Sequence, residues 1–301
     1  MSTRYERLLE LYPEAVVRAG RVYPAVIAQP GRQGLLVDDV SSPADPTLLR
    51  LGAAHLAKRL ADDPSLTNGP TACWQGNGPA GVRVSAGRYF DMIATCDALR
   101  AEFTNSRNET PLAELPLRAL AHELAGDPLS SGAGRAAAIG VSVVLTVPSP
   151  VGSAPSDLDG EARALVIGCR GHVSSDRDSW HVAPSGMLEL NDVPEPIADT
   201  VATELQEELG IRVEPALVAE RLVVLGLIHD LLRLKPDLVV QLDLAPAEVP
   251  AQLEAVSEFS ELALVRTDRA GLAAFWEAHD PGVLTPAAAG AIALFEASSQ
   301  V

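Results

Sequence analysis

Three glutamates lie within five residues of one predicted helix. In the stretch TVATELQEELGI, residues 200–211, Glu204, Glu207 and Glu208 are spaced so that their side chains are neighbours on the helix surface and repel one another. Two unit charges ~4 Å apart interact by roughly 4 kcal/mol at an effective dielectric near 20. Either water screens this repulsion on an exposed face, or a cation is bound there. Carboxylate oxygens favour a hard divalent ion such as Mg²⁺ or Mn²⁺.

The helix that carries these glutamates is predicted from its apolar spacing. An apolar residue recurs at every fourth position, in the order Ile197, Val201, Leu205 and Leu209. This stripe forms one face that would pack on a sheet, which places the three glutamates on or near the other side. Gly210 is the predicted C-cap, because a helix commonly ends with a left-handed glycine.

The segment GMLELNDVPEPIADTVATELQEELGI, residues 186–211, resembles the Nudix box. That pattern is Gly, five residues, Glu, seven residues, Arg-Glu, an aliphatic residue, any residue, Glu-Glu, any residue, Gly and an aliphatic residue. From Glu195 onward the match is in register, and it includes Glu204, Leu205, Glu207, Glu208, Gly210 and Ile211. Two positions differ from the pattern: Thr203 replaces the box arginine, and Gly186 precedes Glu195 by nine positions rather than six.

The resemblance implies an α/β/α sandwich that hydrolyses a nucleoside diphosphate linked to another moiety. In the family the box glutamates bind the metal, which makes Glu204, Glu207 and Glu208 the expected ligands of Mg²⁺ or Mn²⁺. Glu204 and Glu207 are the expected catalytic residues, and one carboxylate would take a proton from the attacking water, whose pKa the metal lowers. Thr203 cannot form the bidentate pair that an arginine makes with a carboxylate. A non-catalytic ligand sensor or regulator is therefore the alternative.

A looser resemblance suggests the substrate. The stretches LTNGPTACW, SAGRYFDMIATCDAL and GDPLSSGAGRAAAIGVSVVLT resemble the N-terminal extension and linker of Nudix proteins that act on UDP-sugars. A UDP-sugar is accordingly the first expected substrate, and a prenyl or other organic diphosphate is an alternative. The low aromatic content of 4% argues against a large isoprenoid pocket.

Five further residues are candidates for substrate binding, each with a structural alternative. Arg170 and Arg177 could hold phosphates or lie on the surface. Trp180 could stack on a base or pack in the core. The Gly186 carbonyl could coordinate a metal ion, or the residue could serve only the turn. His229 follows the box in a region where the family places substrate contacts, although a strand histidine is more often a core residue.

Composition and length predict two domains of an α/β protein. The chain has 301 residues and 47% hydrophobic composition, enough for a large core. The turn-rich stretch GDPLSSGAGR is the predicted boundary between a smaller α+β N-terminal domain, residues 1–128, and a second domain, residues 129–301. The second domain contains the segment that resembles the Nudix box, and this resemblance implies a mixed sheet. The N-terminal domain is expected to close over substrate or to support a homodimer. The stretch VPAQLEAVSEF, residues 249–259, is predicted to be a late helix.

The charge and cysteine content exclude several classes of partner. A formal charge of -17 argues against binding to a nucleic acid polymer or to an anionic membrane surface. A small diphosphate remains compatible, because a few arginines or a divalent metal can reverse the sign within one pocket. Three cysteines without CxxC spacing and an N-terminus without a hydrophobic signal segment predict a cytoplasmic location.

Overall fold

The computed structural model describes residues 4–30, 34–37, 44–78, 81–149, 162–171, 176–190, 193–250 and 253–299. The strands, in chain order, are β1 (Val17–Arg18), β2 (Arg21–Val22), β3 (Ala25–Pro30), β4 (Leu35–Val37), β5 (Pro70–Gly78), β6 (Gly81–Arg88), β7 (Gly140–Pro148), β8 (Arg163–Arg170), β9 (Trp180–Val182), β10 (Ser185–Met187), β11 (Val223–Asp230), β12 (Lys235–Asp243) and β13 (Phe259–Arg266). The α-helices are α1 (Pro46–Asp62), α2 (Tyr89–Met92), α3 (Ala98–Asn105), α4 (Pro116–Ala125), α5 (Pro196–Leu209), α6 (Pro215–Arg221), α7 (Arg269–Ala278) and α8 (Pro286–Ser298). A π-helical turn, Ile93–Asp97, joins α2 to α3, and short 3₁₀ helices occupy Arg4–Glu10, Leu112–Glu114 and Pro246–Glu248.

Eight of the described strands form one mixed sheet. The spatial order is β13, β8, β7, β12, β11 and β3, with β10 paired to β7 and β9 paired to β8. β7 and β12 run parallel, with Gly140 opposite Asp237. β7 and β8, which follow one another in the chain, form an antiparallel pair. The edge strand β3 comes from the region 1–128, so this region contributes to the large sheet. The division into domains at residue 128 stays a prediction.

Helices cover both faces of the large sheet because its central strands are apolar on both sides. Val141 and Val143 of β7 pack with Val201 and Leu205 of α5 in one core cluster. Val144 points to the opposite face, where α7 and α8 contribute to a second cluster. α8 is buried along nearly its whole length and contacts β11, β3, β7 and β9. The predicted α/β/α sandwich with a mixed sheet is therefore confirmed.

A second, three-stranded sheet is attached beside the start of β7. Its order is β4, β6 and β5. The Trp74 N–H donates to the Ala137 carbonyl at 2.9 Å, and the Ala72 N–H donates to the Leu188 carbonyl at 3.0 Å. These bonds tie β5 to the segment that leads into β7 and to the residue after β10. The helical stretch from α2 to α3 is thereby brought to the same end of the large sheet.

The predicted helix at 249–259 is wrong for the part that the structure describes. Residues 253–258 are not helical, and Phe259 begins β13. The Val256 N–H donates to the Glu208 carbonyl at 3.0 Å, which fixes the segment against the end of α5. Pairing with β8 across Phe259–Arg266 then determines the extended conformation. Helical spacing in so short a segment was overridden by these long-range contacts.

The three cysteines are free and differ in exposure. Cys73 and Cys96 are buried, whereas Cys169 is partly exposed. Within the described ranges, no helix combines the length and the apolar character needed to cross a bilayer.

Candidate functional site

A cavity of about 500 Å³ lies at the end of the large sheet where β7 and β12 begin. Its walls come from β10, from the N-terminus of α8, from the helical stretch after β6 and from the loop between β11 and β12. The residues that line it are Asp63, Tyr89, Met92, Asp97, Gly140, Arg170, Asp176, His181, Ser185, Gly186, Met187, Glu189, Glu204, Asp230, Arg233, Lys235, Asp237, Glu258, Thr285, Pro286 and Ala287. Of the residues predicted for the site, Arg170, Gly186 and Glu204 are in this wall.

The three α5 glutamates have different environments. Glu204 is half-buried and lines the cavity, Glu207 is exposed, and Glu208 is only 1% exposed. The expectation that all three lie opposite the apolar stripe is therefore wrong for Glu208. Glu208 is seven residues from Val201 and three from Leu205, so it shares the buried face of the helix with them. Gly210 ends α5 with a φ of 67°, as the predicted left-handed C-cap requires.

The carboxylate of Glu204 lies directly against the backbone of Gly186. A methyl group at position 186 would be 2.0 Å from Oε1 of Glu204. No residue with a Cβ atom could therefore occupy position 186 without moving this carboxylate. The close approach gives the glycine a role that turn geometry alone does not require, and it aligns Glu204 with β10 at the rim of the cavity.

Neighbouring charges disfavour the ionised form of Glu204. Burial, followed by the charges of Glu258 and Glu207, raises the pKa of Glu204 to about 8. Arg170 acts in the opposite direction, with a smaller effect. Within the described residues, no N–H or O–H group donates a hydrogen bond to this carboxylate. A cation placed there would therefore relieve both the desolvation of Glu204 and its repulsion by the other carboxylates.

Glu208 lies behind Glu204 and is held by a single hydrogen bond. The Ser185 N–H donates to Oε2 of Glu208 at 2.9 Å, whereas Oε1 is buried and has no hydrogen-bond partner in the described part of the chain. Burial, and then the charge of Glu204, raise the pKa of Glu208 to about 9. Glu208 thus has a buried carboxylate oxygen without a partner in the described residues, and Glu204 is one helical turn away. Such an arrangement is unfavourable in a purely structural site and is stabilised when a cation binds.

The raised pKa of Glu208 predicts how stability depends on pH in the metal-free protein. The pKa is about 9 in the folded state against an ordinary value of 4.5, so the folded state retains a proton that the unfolded state has lost between these limits. Stability contributed by this group therefore falls as pH rises through that window. The Glu208→Gln variant, measured by urea unfolding in EDTA, should match the wild type near pH 5 and exceed it by about 1–3 kcal/mol near pH 8.

A matched control separates this effect from the general loss of a negative charge. Glu220 is exposed on α6, and the Glu220→Gln variant makes the same chemical change away from the cavity. It should follow the wild-type stability at every pH. Equal pH profiles for the Glu208→Gln variant and the wild type would contradict a buried carboxyl group at position 208.

Arg170 and Glu258 form an ion pair at the same rim. Arg170 is the last residue of β8, and its Nη2 lies 3.1 Å from Oε2 of Glu258. Glu258 reaches this position because the segment before β13 is bound to the end of α5. Arg170 also has a buried Nε without a partner in the described residues. Its positive charge lowers the pKa of both Glu204 and Glu208, against the larger effect of burial.

A second charge cluster forms the floor of the cavity around Arg233. The Arg233 guanidinium donates from Nε to Asp97 at 2.7 Å, from Nη1 to Asp230 at 2.9 Å and from Nη2 to Asp176 at 2.6 Å. Arg59 forms a second ion pair with Asp97. This cluster connects the helical stretch after β6, the turn before β9 and the loop between β11 and β12. No motif in the sequence predicts this Arg233 cluster.

Five predicted residues do not line the cavity: the buried Glu208 and four others. Glu207 is exposed on α5, and Arg177 is exposed in a turn without a side-chain partner in the described ranges. Trp180 is half-buried and packs edge-on against His279 at 6.1 Å between ring centroids. His229 is fully buried, packs edge-on against Trp74 at 4.8 Å and has a pKa lowered to about 3 by burial. His229 is thus a neutral core histidine by its surroundings.

The carboxylates of Glu204 and Glu208 on α5 are the candidate ligands of a divalent metal ion. Among the residues that the structure describes, no three His, Cys, Asp or Glu side chains are placed so that they could hold a metal ion together. Glu204 and Glu208 do fit such an ion, because Oε1 of Glu208 has no partner in the described residues and the charge of Glu204 raises the pKa of Glu208. Two protein carboxylates with the remaining positions taken by water or substrate phosphate suit Mg²⁺.

Comparisons with known proteins give distant structural similarity only. No family model matches the chain, and no curated protein is significantly similar to it in sequence. A MutT/nudix family protein from Enterococcus faecalis is 18% identical, with 44% of each chain covered and a TM-score of 0.33. A bifunctional NMN adenylyltransferase/ADP ribose pyrophosphatase from Francisella tularensis, complexed with AMP and a Mn ion, is 13% identical, with 54% of this chain and 41% of that chain covered and a TM-score of 0.33. A MutT protein from Methanosarcina mazei Go1 is 15% identical, with 55% of this chain and 96% of that chain covered and a TM-score of 0.35. The match spans less than half the length of the first two proteins.

Proposed function

We propose that this protein is a Nudix-type, divalent-metal-dependent diphosphohydrolase that cleaves a nucleoside diphosphate linked to another moiety. The observation that carries the proposal is the position of Glu204. This box glutamate lines the cavity and touches Gly186, with the buried Glu208 directly behind it. A UDP-sugar is the first substrate to test, because the N-terminal region resembles that of Nudix proteins acting on UDP-sugars.

Glu204 and Glu208 would hold Mg²⁺ or Mn²⁺, whereas Glu207, which the box pattern also places among the ligands, is exposed outside the cavity wall. The bound metal would supply an activated water and charge neutralisation for the phosphates. The protein residues then have separate tasks. Arg170 and Lys235 attract phosphate oxygens by charge, and one of the carboxylates at the site would accept a proton from the attacking water.

Arg170 also supports catalytic competence in spite of Thr203. Thr203 is exposed on α5 and cannot make the guanidinium–carboxylate pair of the box arginine. Arg170 approaches the same carboxylates from β8 and is fixed by Glu258 at 3.1 Å. Arg170 at the end of β8 can therefore supply the positive charge that the box arginine would supply from α5.

The test is hydrolysis by the purified full chain with Mg²⁺ or Mn²⁺. The panel contains UDP-sugars, ADP-ribose, dinucleoside polyphosphates and prenyl diphosphates, with product separation to identify the cleaved bond. We expect metal-dependent turnover of at least one nucleoside diphosphate derivative and none in EDTA. Prenyl diphosphate as the sole substrate would place the protein in a different substrate class. Absence of turnover with every compound would contradict the proposal.

The loss of the box arginine favours one second candidate, a non-catalytic ligand sensor. The Thr203 hydroxyl has no hydrogen-bond partner in the described part of the chain, so the side chain at this position does not replace the interaction of the box arginine. A sensor would bind a nucleoside diphosphate derivative tightly and release no product. Titration calorimetry with the same panel therefore distinguishes a sensor from an enzyme.

A further inference from the structure

The N-terminus of α8 opens into the cavity on a different wall from the carboxylates. Thr285 is the N-cap, and its hydroxyl accepts the Ala288 N–H at 3.1 Å. Thr285, Pro286 and Ala287 line the cavity. The Ala287 N–H has no acceptor in the described part of the chain. With 13 residues, α8 is long enough for its aligned peptide dipoles to give this end a partial positive charge.

His181 presents a second hydrogen-bond donor next to this helix end. Its Nδ1 lies 2.6 Å from the Thr285 hydroxyl oxygen. When the Thr285 hydroxyl donates its hydrogen to Nδ1, the neutral ring carries its proton on Nε2, and this is the tautomer that can donate into the cavity. His181 is 5% exposed and lines the cavity, yet its Nε2 has no partner among the described residues. Burial, and then Arg170, hold the pKa of His181 well below its ordinary value, so the ring is neutral at pH 7.

Lys235 adds a positive charge to the same wall. Its ammonium group lies 3.5 Å from Asp237, and its charge is felt by His181, whose pKa it helps to lower. The three aspartates of the cavity floor are bonded to Arg233. Asp237, which also lines the cavity, is the carboxylate in contact with Lys235, and burial raises its pKa. A phosphate oxygen at this wall would therefore share the Lys235 ammonium with Asp237.

We propose that this wall is a phosphoryl-binding subsite in which the Ala287 N–H, the His181 Nε2–H and the Lys235 ammonium bind the oxyanion. We refer to these three donors as the α8 wall. A helix N-terminus binds phosphate through free backbone N–H groups and its dipole, a neutral imidazole donates without bringing a charge, and an ammonium group supplies a point charge. The subsite rests on the proposed function only for the identity of the natural ligand as a diphosphate.

The test is equilibrium binding of phosphate to the full chain in EDTA, where hydrolysis is absent. The probes are inorganic phosphate and glucose 1-phosphate, a phosphate monoester, at constant ionic strength. We expect saturable binding of at least one probe. The His181→Ala variant should bind at least about tenfold more weakly, and Lys235→Met should weaken binding as well. His181→Gln, which retains a neutral N–H donor, should recover part of the affinity.

Two controls make the result specific to the α8 wall. Glu220→Gln removes an exposed negative charge from α6, outside the cavity wall, and should bind phosphate as the wild type does. Long-range ¹H–¹⁵N spectra of the histidine rings should show the Nε2 resonance of His181 moving with phosphate, while the buried His229 resonances stay unchanged. Binding of the monoester alone would support a ligand-borne phosphoryl group. Absence of saturable binding, or wild-type affinity in both His181→Ala and Lys235→Met, would overturn the subsite. Hydrolysis without phosphate binding would reject the subsite and retain the proposed function.

Discussion

Replacing Glu204 with glutamine is expected to lower metal-dependent diphosphate hydrolysis by about 10²–10⁴-fold, the range that a positioned acid–base group contributes. Glu204 is the box glutamate that lines the cavity and touches Gly186. Glutamine has the same shape, but it can neither accept a proton nor offer an anionic oxygen to a cation. Because burial, followed by the charges of Glu258 and Glu207, raises the pKa of Glu204 to about 8, the free energy of unfolding should stay the same or rise. Initial rates of product release and urea unfolding measure the two effects.

Two further variants show whether the spacing of the box or the geometry of the cavity determines the role of each glutamate. The box places Glu207 among the ligands, whereas the structure leaves it exposed and outside the cavity wall. The Glu207→Gln variant should therefore lose less activity than Glu204→Gln. Glu220→Gln, on the exposed side of α6, gives the baseline for removing one negative charge. Wild-type turnover in Glu204→Gln would contradict the assignment of the site.

The parts of the site that could be predicted are those encoded within one segment. Apolar residues at every fourth position, together with Gly210, defined α5 and its end to within a residue. The box pattern placed both Glu204 and Gly186 in the predicted site, although the segment between Gly186 and Glu195 is longer than in the pattern. Each of these features follows from helix or strand periodicity, which requires no knowledge of distant residues.

The remaining features depend on contacts between segments far apart in the chain. Arg233 meets Asp97 across 136 positions, and His181 meets Thr285 across 104 positions. No local pattern marks such pairs, because the order of strands in the sheet determines which segments meet. Glu208 was misplaced for a different reason: local rules put a glutamate in water, whereas this one is on the buried face. Departures of this kind are concentrated at functional sites, which agrees with its place behind Glu204.

Replacing Arg233 with methionine is expected to destabilise the protein by about 3–5 kcal/mol, the usual effect of removing one member of a buried charge cluster. The Arg233 side chain is 7% exposed and binds three aspartates, whose side chains are 8%, 10% and 3% exposed. Methionine fills similar volume but leaves Asp97 paired with Arg59, Asp176 paired with Arg100, and Asp230 without an ion pair in the described part of the chain. Arg233→Lys retains the charge without the planar fork and should lose an intermediate amount. Urea unfolding, monitored by fluorescence, gives the free energy of each variant.

The Arg266–Asp268 pair provides the matched control for Arg233. These two side chains form an ion pair on the surface, and they are 56% and 50% exposed. Arg266→Met should cost less than about 1 kcal/mol, because water and salt screen an exposed pair. A loss in Arg233→Met no larger than that in Arg266→Met would contradict a stabilising role for the cluster. A large loss in Arg233→Met alone would establish that the floor of the cavity is held by this one guanidinium, since it bonds the helical stretch after β6, the turn before β9 and the loop between β11 and β12 to one another.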